Sequence, residues 1–427
     1  MTTFRWRILL CSLILHIPIG LGWSLPELVH SASGYDVRGD EGPSLVDAET
    51  KDALTRHHAN VRRATATNTT SAATSAATST STYAFNATAP NLTIAYYGQS
   101  NMTDNVSLRQ LCAGTSVDII TLAFINNFYG PKDPSKIDIT LDFNGYLCQA
   151  PNQTQKAAGM TGLLDCTIDG FAAQVAACQA QGKKVLISAG GASANLSIPS
   201  EKAAKEVAQT LWDMFLGGTG LKGKGVRPFG DVVLDGFDID NEDEKNAGTL
   251  FPLISTLRNL TKKDKSKKYY FSAAPICALP DPEIPVSSLL NQIDFWNVQF
   301  YNARACQLGT GTGFLNSIKT WSQNLLGKRK LACSTCKVPQ GAFNVNGNNI
   351  TYPRLLIGSR AFDPGLGPSG YVNITQYRAI LKDVAKLNLP NLAGAMFWEG
   401  AFLYKEKGLV EGKNRTFAQI AKSVLKA

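Results

Sequence analysis

Residues 234–242 read LDGFDIDNE, placing four acids, Asp235, Asp238, Asp240 and Glu242, behind an apolar lead-in of Val232, Val233 and Leu234. In an extended chain alternate side chains share a face, so Asp238, Asp240 and Glu242 project to one side and Asp235 is out of phase. Three carboxylates on one face repel when all are ionised. Protons are then shared among them and at least one pKa rises, which leaves a general acid available near neutral pH. The alternative for such a cluster is a calcium site or an acidic cap. The ligand spacing of an EF-hand is absent and the lead-in is strand-like, so the expectation is acid–base chemistry with no metal and no cofactor.

The elements that must carry these acids recur along the chain. Short apolar runs at 93–97, 119–124, 184–189, 232–238, 270–274, 295–301, 355–359 and 394–398 alternate with helical stretches, the pattern of repeated βα units. Eight parallel strands predict a single (β/α)8 barrel with insertions over residues 90–427, and no GxGxxG follows the first run, as a doubly wound nucleotide-binding sheet would require. Chemistry in such barrels sits at the carboxyl ends of the strands. The acid run lies at the end of the fourth.

With 427 residues, 44% hydrophobic and 18% charged, the chain can bury a large core. Residues 1–22, with Arg5 and Arg7 ahead of an apolar stretch, read as a signal peptide too short for a membrane span. Residues 23–89 end in the Ser/Thr/Ala-rich run ATATNTTSAATSAATSTSTY and read as a disordered propeptide or stalk, with Arg62–Arg63 a candidate processing site. Eight cysteines beyond Cys11 and sequons such as Asn86, Asn152 and Asn373 fit a secreted glycoprotein with disulfides. The net charge of +9 lies in the body, because residues 1–63 hold seven basic and seven acidic side chains. The lysines are scattered apart from KKDKSKK (262–268), which argues against nucleic acid and for attraction to an anionic cell wall. The expected product is an extracellular monomer without stable membrane insertion.

Read as D-G-x-D-x-D-x-E, residues 235–242 resemble the signature of glycoside hydrolase family 18, and RPFGDVVLDGFDIDNE resembles the hevamine-type class III chitinases of plants and fungi. The likeness continues, in order, through IAYYGQS (94–100), ITLAFINNF (120–128), KVLISAGG (184–191), FSAAPICALPD (271–281), FWNVQFYN (295–302) and AMFWEGAF (395–402).

This resemblance implies an endo-acting chitinase, with chitin or its oligosaccharides as partner, that cleaves β-1,4-N-acetylglucosamine linkages with retention. By position Glu242 matches the general acid, Asp240 the carboxylate that orients the substrate's N-acetyl group, and Asp238 its supporting partner. Tyr301 matches the hydroxyl on the acetamido group, with Gln299 beside it; Trp398 matches the sugar platform; Tyr96, Phe124 and Gln99 match cleft-lining residues. The pairings implied are Cys112–Cys178, Cys148–Cys166 and Cys277–Cys306, leaving Cys333 for Cys336. Tyr97, Ala189 and Ala303 depart from common family residues and are expected in the cleft wall, and residues 326–349 look inserted. An endo-β-N-acetylglucosaminidase acting on the N-glycan core, and a non-catalytic sugar-binding or inhibitor protein on the same barrel, remain as alternatives.

Overall fold

A computed structural model describes residues 83–426 apart from 101–105, 115, 131–132, 144–146, 328–352 and 366–368. The expected signal peptide, residues 23–82 with Arg62–Arg63, the Cys333–Cys336 pair and residues 328–349 of the expected insertion lie outside the described residues. Among the described residues nine strands share one sheet: β1 (Leu92–Tyr97), β2 (Ile119–Gly130), β3 (Asp133–Leu141), β4 (Lys184–Gly190), β5 (Gly236–Asp240), β6 (Tyr270–Ala273), β7 (Phe295–Gln299), β8 (Arg354–Arg360) and β9 (Leu392–Trp398). Parallel pairing runs from β1 through β2 and β4 to β9, and β9 returns to β1, closing an eight-stranded barrel. Helices fill the connections, so the expected (β/α)8 barrel is the architecture. Helix Glu201–Phe215 illustrates why: Ala204, Val207, Ala208, Leu211 and Phe215 recur at helical spacing and are buried against the sheet, and Ser200 caps its start by accepting from the Ala203 N–H at 3.1 Å.

The lower end of the barrel is built by one device used three times. Asp118, Asp235 and Asp294 each stand immediately before a strand, β2, β5 and β7. Each carboxylate accepts a backbone N–H from the preceding barrel strand: Thr93 at 2.7 Å, Val185 at 2.9 Å and Phe271 at 2.8 Å. Each aspartate's own N–H donates to the carbonyl of that same residue, at 2.9, 2.7 and 2.9 Å. Each also meets a cation: Lys422 for Asp118, Lys267 and Lys184 for Asp235, and Arg258 for Asp294. Asp235 therefore belongs to the floor, not to the acid face.

This clasp also corrects the fourth strand, expected over 232–238 but observed from Gly236 to Asp240. Side chains capture the carbonyls a strand would have shared. Arg227 Nη2 donates to Val232 O at 3.1 Å, while Gln179 Nε2 and Lys267 Nζ donate to Val233 O at 2.8 and 2.5 Å. β2 differs in the other direction. It runs past the expected end at Phe124 to Gly130 and turns into the antiparallel β3, a hairpin projecting beyond the barrel.

Two apolar layers result. The outer one lies between strands and helices; the inner one fills the barrel with Leu92, Ile94, Ile119, Leu186, Phe295, Leu356 and Met396. Residues ahead of the boundary expected after Ala89 join the inner layer: Ala87 is buried, and Phe85 stands edge-on to Tyr270 with ring centroids 5.2 Å apart. Disulfides link Cys112 to Cys178, Cys148 to Cys166 and Cys277 to Cys306, the three pairings expected among the described cysteines.

Candidate active site

At the upper end of β5 the period-two ladder is realised. Asp238 is fully buried, Asp240 nearly so, and Glu242, two residues beyond Asp240, emerges into the open cleft. The strands beside β5 supply the donors. Ser188 of β4 and Ser272 of β6 stand level with Asp238 in the ladder, and both hydroxyls donate to it, Ser188 Oγ at 2.6 Å. Tyr96 adds its hydroxyl from β1 at 2.8 Å. Gln299, at the end of β7, serves the upper rungs. Its Nε2 donates to Asp240 Oδ1 at 2.8 Å and to Ala274 O at 2.9 Å, and comes within 3.5 Å of Glu242 Oε1.

No salt bridge reaches Asp238, Asp240 or Glu242 among the described residues, and their protonation follows. Burial raises the Asp238 carboxyl despite its three hydroxyl donors. Asp240 is raised well above the carboxylate range by burial and then by the charges of Glu242 and Asp238, with Gln299 acting against them. The cleft walls exclude enough water to raise Glu242 although its tip is exposed, again with Gln299 pulling the other way. The ladder holds protons at pH values where ordinary carboxylates have lost theirs.

Around the ladder stands an aromatic wall. Trp398, at the end of β9, stacks near-parallel on Phe124 at 5.8 Å and lies 5.9 Å from the Tyr96 ring. Tyr301 is buried two residues past β7, its hydroxyl kept protonated by burial and by Asp240 and Glu242. Close approach in the wall requires glycine: a Cβ on Gly190 would lie 1.8 Å from Asp240 O, and one on Gly191 2.7 Å from the Phe124 ring. Gln99 supports the wall from behind, its Nε2 donating to Ala123 O at 3.2 Å and Asp142 O at 2.8 Å, which fixes the backbone that presents Phe124.

All nine residues singled out in the sequence thus gather at one end of the barrel. Tyr97 and Ala189, expected in the cleft wall, do not belong to it. Tyr96 and Ser188 face inward, so their neighbours face out: Tyr97 donates its hydroxyl to Val106 O at 2.7 Å and stacks on Phe171, and Ala189 lies in the outer core. Ala303 likewise packs against that outer layer. The sequence reading passed over four residues. Ser188 and Ser272 were findable as polar residues inside apolar strand runs. Arg360, whose guanidinium lies 5.8 Å from the Tyr301 ring centroid and donates to Asn302 Oδ1 at 3.1 Å, and Glu283, from the loop after β6, carried no local signal.

Comparison with known proteins agrees with this geometry. The family model described as glycosyl hydrolases family 18 matches residues 92–335. Endochitinase 3 of Metarhizium anisopliae is 34% identical over 328 residues, covering 76% of this chain and 97% of that protein. Among solved structures, the ICChI chitinase of Ipomoea carnea superposes with a TM-score of 0.54 at 25% identity, over 73% of this chain and 96% of that one. The xylanase and alpha-amylase inhibitor protein XAIP-II of Scadoxus multiflorus shares the fold, with a TM-score of 0.56 at 23% identity over 78% of this chain and 98% of that one.

Proposed function

From the premise that the chain belongs to glycosyl hydrolases family 18, we propose that it is an endo-acting chitinase that cleaves β-1,4 linkages between N-acetylglucosamine units with retention. The observation that carries this reading is the ladder Asp238–Asp240–Glu242, buried at its two lower rungs, met by no cation among the described residues and bridged at its top by Gln299. A non-catalytic role and an N-glycan-directed role are not favoured, because the ladder is intact and the curated relatives it matches include endochitinases and a chitinase.

Catalysis proceeds by participation of the substrate, the exception this family makes to the two-carboxylate scheme. Glu242, protonated because its carboxyl is raised, donates its proton to the glycosidic oxygen as the C1–O bond breaks. The acetamido carbonyl oxygen of the same sugar attacks C1 and closes an oxazolinium ring, and the alcohol departs. Asp240 accepts the acetamido N–H, and the Tyr301 hydroxyl donates to the acetamido oxygen. Water then adds to C1 from the side the alcohol left, giving up a proton to the Glu242 carboxylate, and the ring reopens. The attack is intramolecular, so orientation lowers the barrier more than basicity does. Trp398 offers the reacting pyranose an apolar face. Asp238, held by the hydroxyls of Tyr96, Ser188 and Ser272, supports Asp240 from below, its charge favouring the protonated form of that carboxyl. The three disulfides support export to an oxidising compartment, and no helix among the described residues is long and apolar enough to cross a membrane.

A stable thiazoline mimic of the cyclised sugar tests the mechanism. It is expected to inhibit, with Tyr301→Phe weakening the mimic and slowing hydrolysis more than it weakens substrate binding. A glycosylated Asp238 or Asp240 recovered after trapping would overturn substrate participation. Reducing-end analysis of products from chitin oligomers and from a high-mannose glycoprotein tests the substrate class.

A further inference from the structure

The side chain of Asn241, between two rungs of the acid ladder, is buried and tied in three directions. Its Nδ2 donates to Asp243 O at 2.7 Å and to Glu283 O at 2.7 Å, and its Oδ1 accepts from Asn246 Nδ2 at 3.1 Å. One amide thus joins the loop that carries Glu242, the start of helix Ala247–Thr261 and the loop after β6. That second loop is itself rigid. Asp281 accepts from the N–H groups of Ile276, Glu283 and Ile284 at 2.9, 2.7 and 2.9 Å, and Cys277 is bridged to Cys306 beyond β7.

We propose that Asn241 is a positioning residue for the proton donor: it locks the Glu242 loop to the loop after β6 and so holds the Glu283 carboxyl in the electrostatic neighbourhood of Glu242. The inference rests on Glu242 being the general acid. Glu242 immediately follows Asn241, so the bonds to Asp243 O and Glu283 O set the course of the backbone on which the donor sits. The acidic surroundings follow from the same tie. Glu242 shares its surroundings with Asp240 of β5, Glu283 of the loop after β6 and Tyr301 beyond β7; Glu283 is in turn faced by Asp281 of its own loop and by Asp243 and Glu244 of the Glu242 loop, and Arg360 of β8 stands beside Tyr301. Glu283 is pushed up to about 7, by burial first and then by Asp281 and Glu242. The repulsion is mutual: a charge on Glu283 favours the protonated, donating form of Glu242.

The test uses chitin-oligomer hydrolysis by the whole protein with Asn241→Leu, Asn246→Ala and Glu283→Gln. Asn241→Leu is expected to lower kcat on the order of 10-fold, short of the ~10² that a 1 Å misplacement can cost, while KM changes little. Its alkaline limb in kcat/KM should move to lower pH, because a negative neighbour has been released. Glu283→Gln should move that limb the same way, by about half a pH unit as for a like charge felt through a largely aqueous gap, with a smaller loss of kcat. Asn246→Ala, which frees only one of the three ties, should reproduce the effect of Asn241→Leu in weaker form, and it serves if Asn241→Leu does not fold. Folded variants with wild-type kcat and an unmoved alkaline limb would overturn the proposal, as would equal losses confined to KM. An inactive wild-type protein would instead overturn the chitinase reading.

Discussion

At the floor of the barrel Asp118, Asp235 and Asp294 each meet a strand N–H and a lysine or arginine; at the mouth Asp238, Asp240 and Glu242 meet hydroxyls, an amide and one another. Three to five residues separate Asp235 from Asp238 and Asp240, so the same stretch of chain supplies both ends. The difference is in how charge is compensated. Floor aspartates have cations and strand N–H groups as partners that offset their desolvation, and they register neighbouring strands. Mouth acids lie buried (Asp238, Asp240) or in a water-poor cleft (Glu242) and meet no cation among the described residues, which favours their neutral forms and opposes folding whenever they ionise. A barrel designed for stability alone would pair both sets. Leaving the mouth unpaired keeps a proton where a glycosidic oxygen can take it.

The sharpest way to break this comparison is at its upper end. Glu242→Gln keeps the shape and hydrogen bonding of the donor and removes its transferable proton, so hydrolysis should fall by roughly 10²- to 10⁴-fold while oligosaccharide binding holds and the melting temperature does not fall. Retention of most activity would remove Glu242 from the donor role. At the floor the expected result is the reverse. Asp294→Ala leaves the Arg258 guanidinium, only 1% exposed, without the carboxylate 2.5 Å away, and should cost about 3–5 kcal/mol in denaturant unfolding with kcat of the folded fraction unchanged. If activity fell and stability did not, the two regions would not be separable in this way.

A third test reads both regions through pH. A carboxyl whose pKa is raised on folding binds a proton that the unfolded chain releases, so its contribution to stability is present at low pH and is lost as pH climbs from the ordinary carboxylate range, about 4, through the raised value. Asp238, Asp240, Glu242 and Glu283 are all raised, the last to about 7. The melting temperature should therefore decline as pH rises from about 4 towards 7 and beyond. Asp240→Asn should flatten that decline and raise the melting temperature at neutral pH while abolishing hydrolysis. A decline unchanged in Asp240→Asn would mean that the ladder ionises without strain.

What the sequence made legible follows the same division. The ladder could be read because one strand carries it, and period two puts Asp238, Asp240 and Glu242 on one face whatever surrounds them. The same parity rule, applied to Tyr96 and Ser188, places Tyr97 and Ala189 outside the cleft, so that error lay in following family positions and not side-chain direction. The floor was illegible because it is assembled across distance: Asp235 is decided by Val185 and Lys267, which stand far from it in sequence. The Asn241–Glu283 tie spans 42 positions and leaves no local pattern. The start of β5 was misplaced for a related reason, since Val232 and Val233 are strand formers whose carbonyls go to Arg227, Gln179 and Lys267. The β2–β3 hairpin was missed because Asn126, Asn127 and Pro134 interrupt any apolar alternation.

The smallest expected effect distinguishes the two supports that each floor aspartate receives. Lys267 Nζ lies 3.1 Å from Asp235 Oδ1, but its side chain is 26% exposed, and Asp235 keeps Lys184 at 3.9 Å, the Val185 N–H at 2.9 Å and Gln179 Nε2 at 2.7 Å. Lys267→Met preserves the aliphatic stem and removes the charge together with the Nζ bond to Val233 O, a carbonyl that Gln179 Nε2 still serves, so unfolding should be easier by no more than about 1 kcal/mol, the scale of a solvent-screened pair. Salt should have little further effect on the variant, because the exposed part of the interaction is already gone. A loss as large as that of Asp294→Ala would mean that the cation, and not the strand N–H, holds the clasp. The three floor aspartates would then be ion pairs that happen to sit beside a strand, and the contrast with the mouth would rest on cations alone.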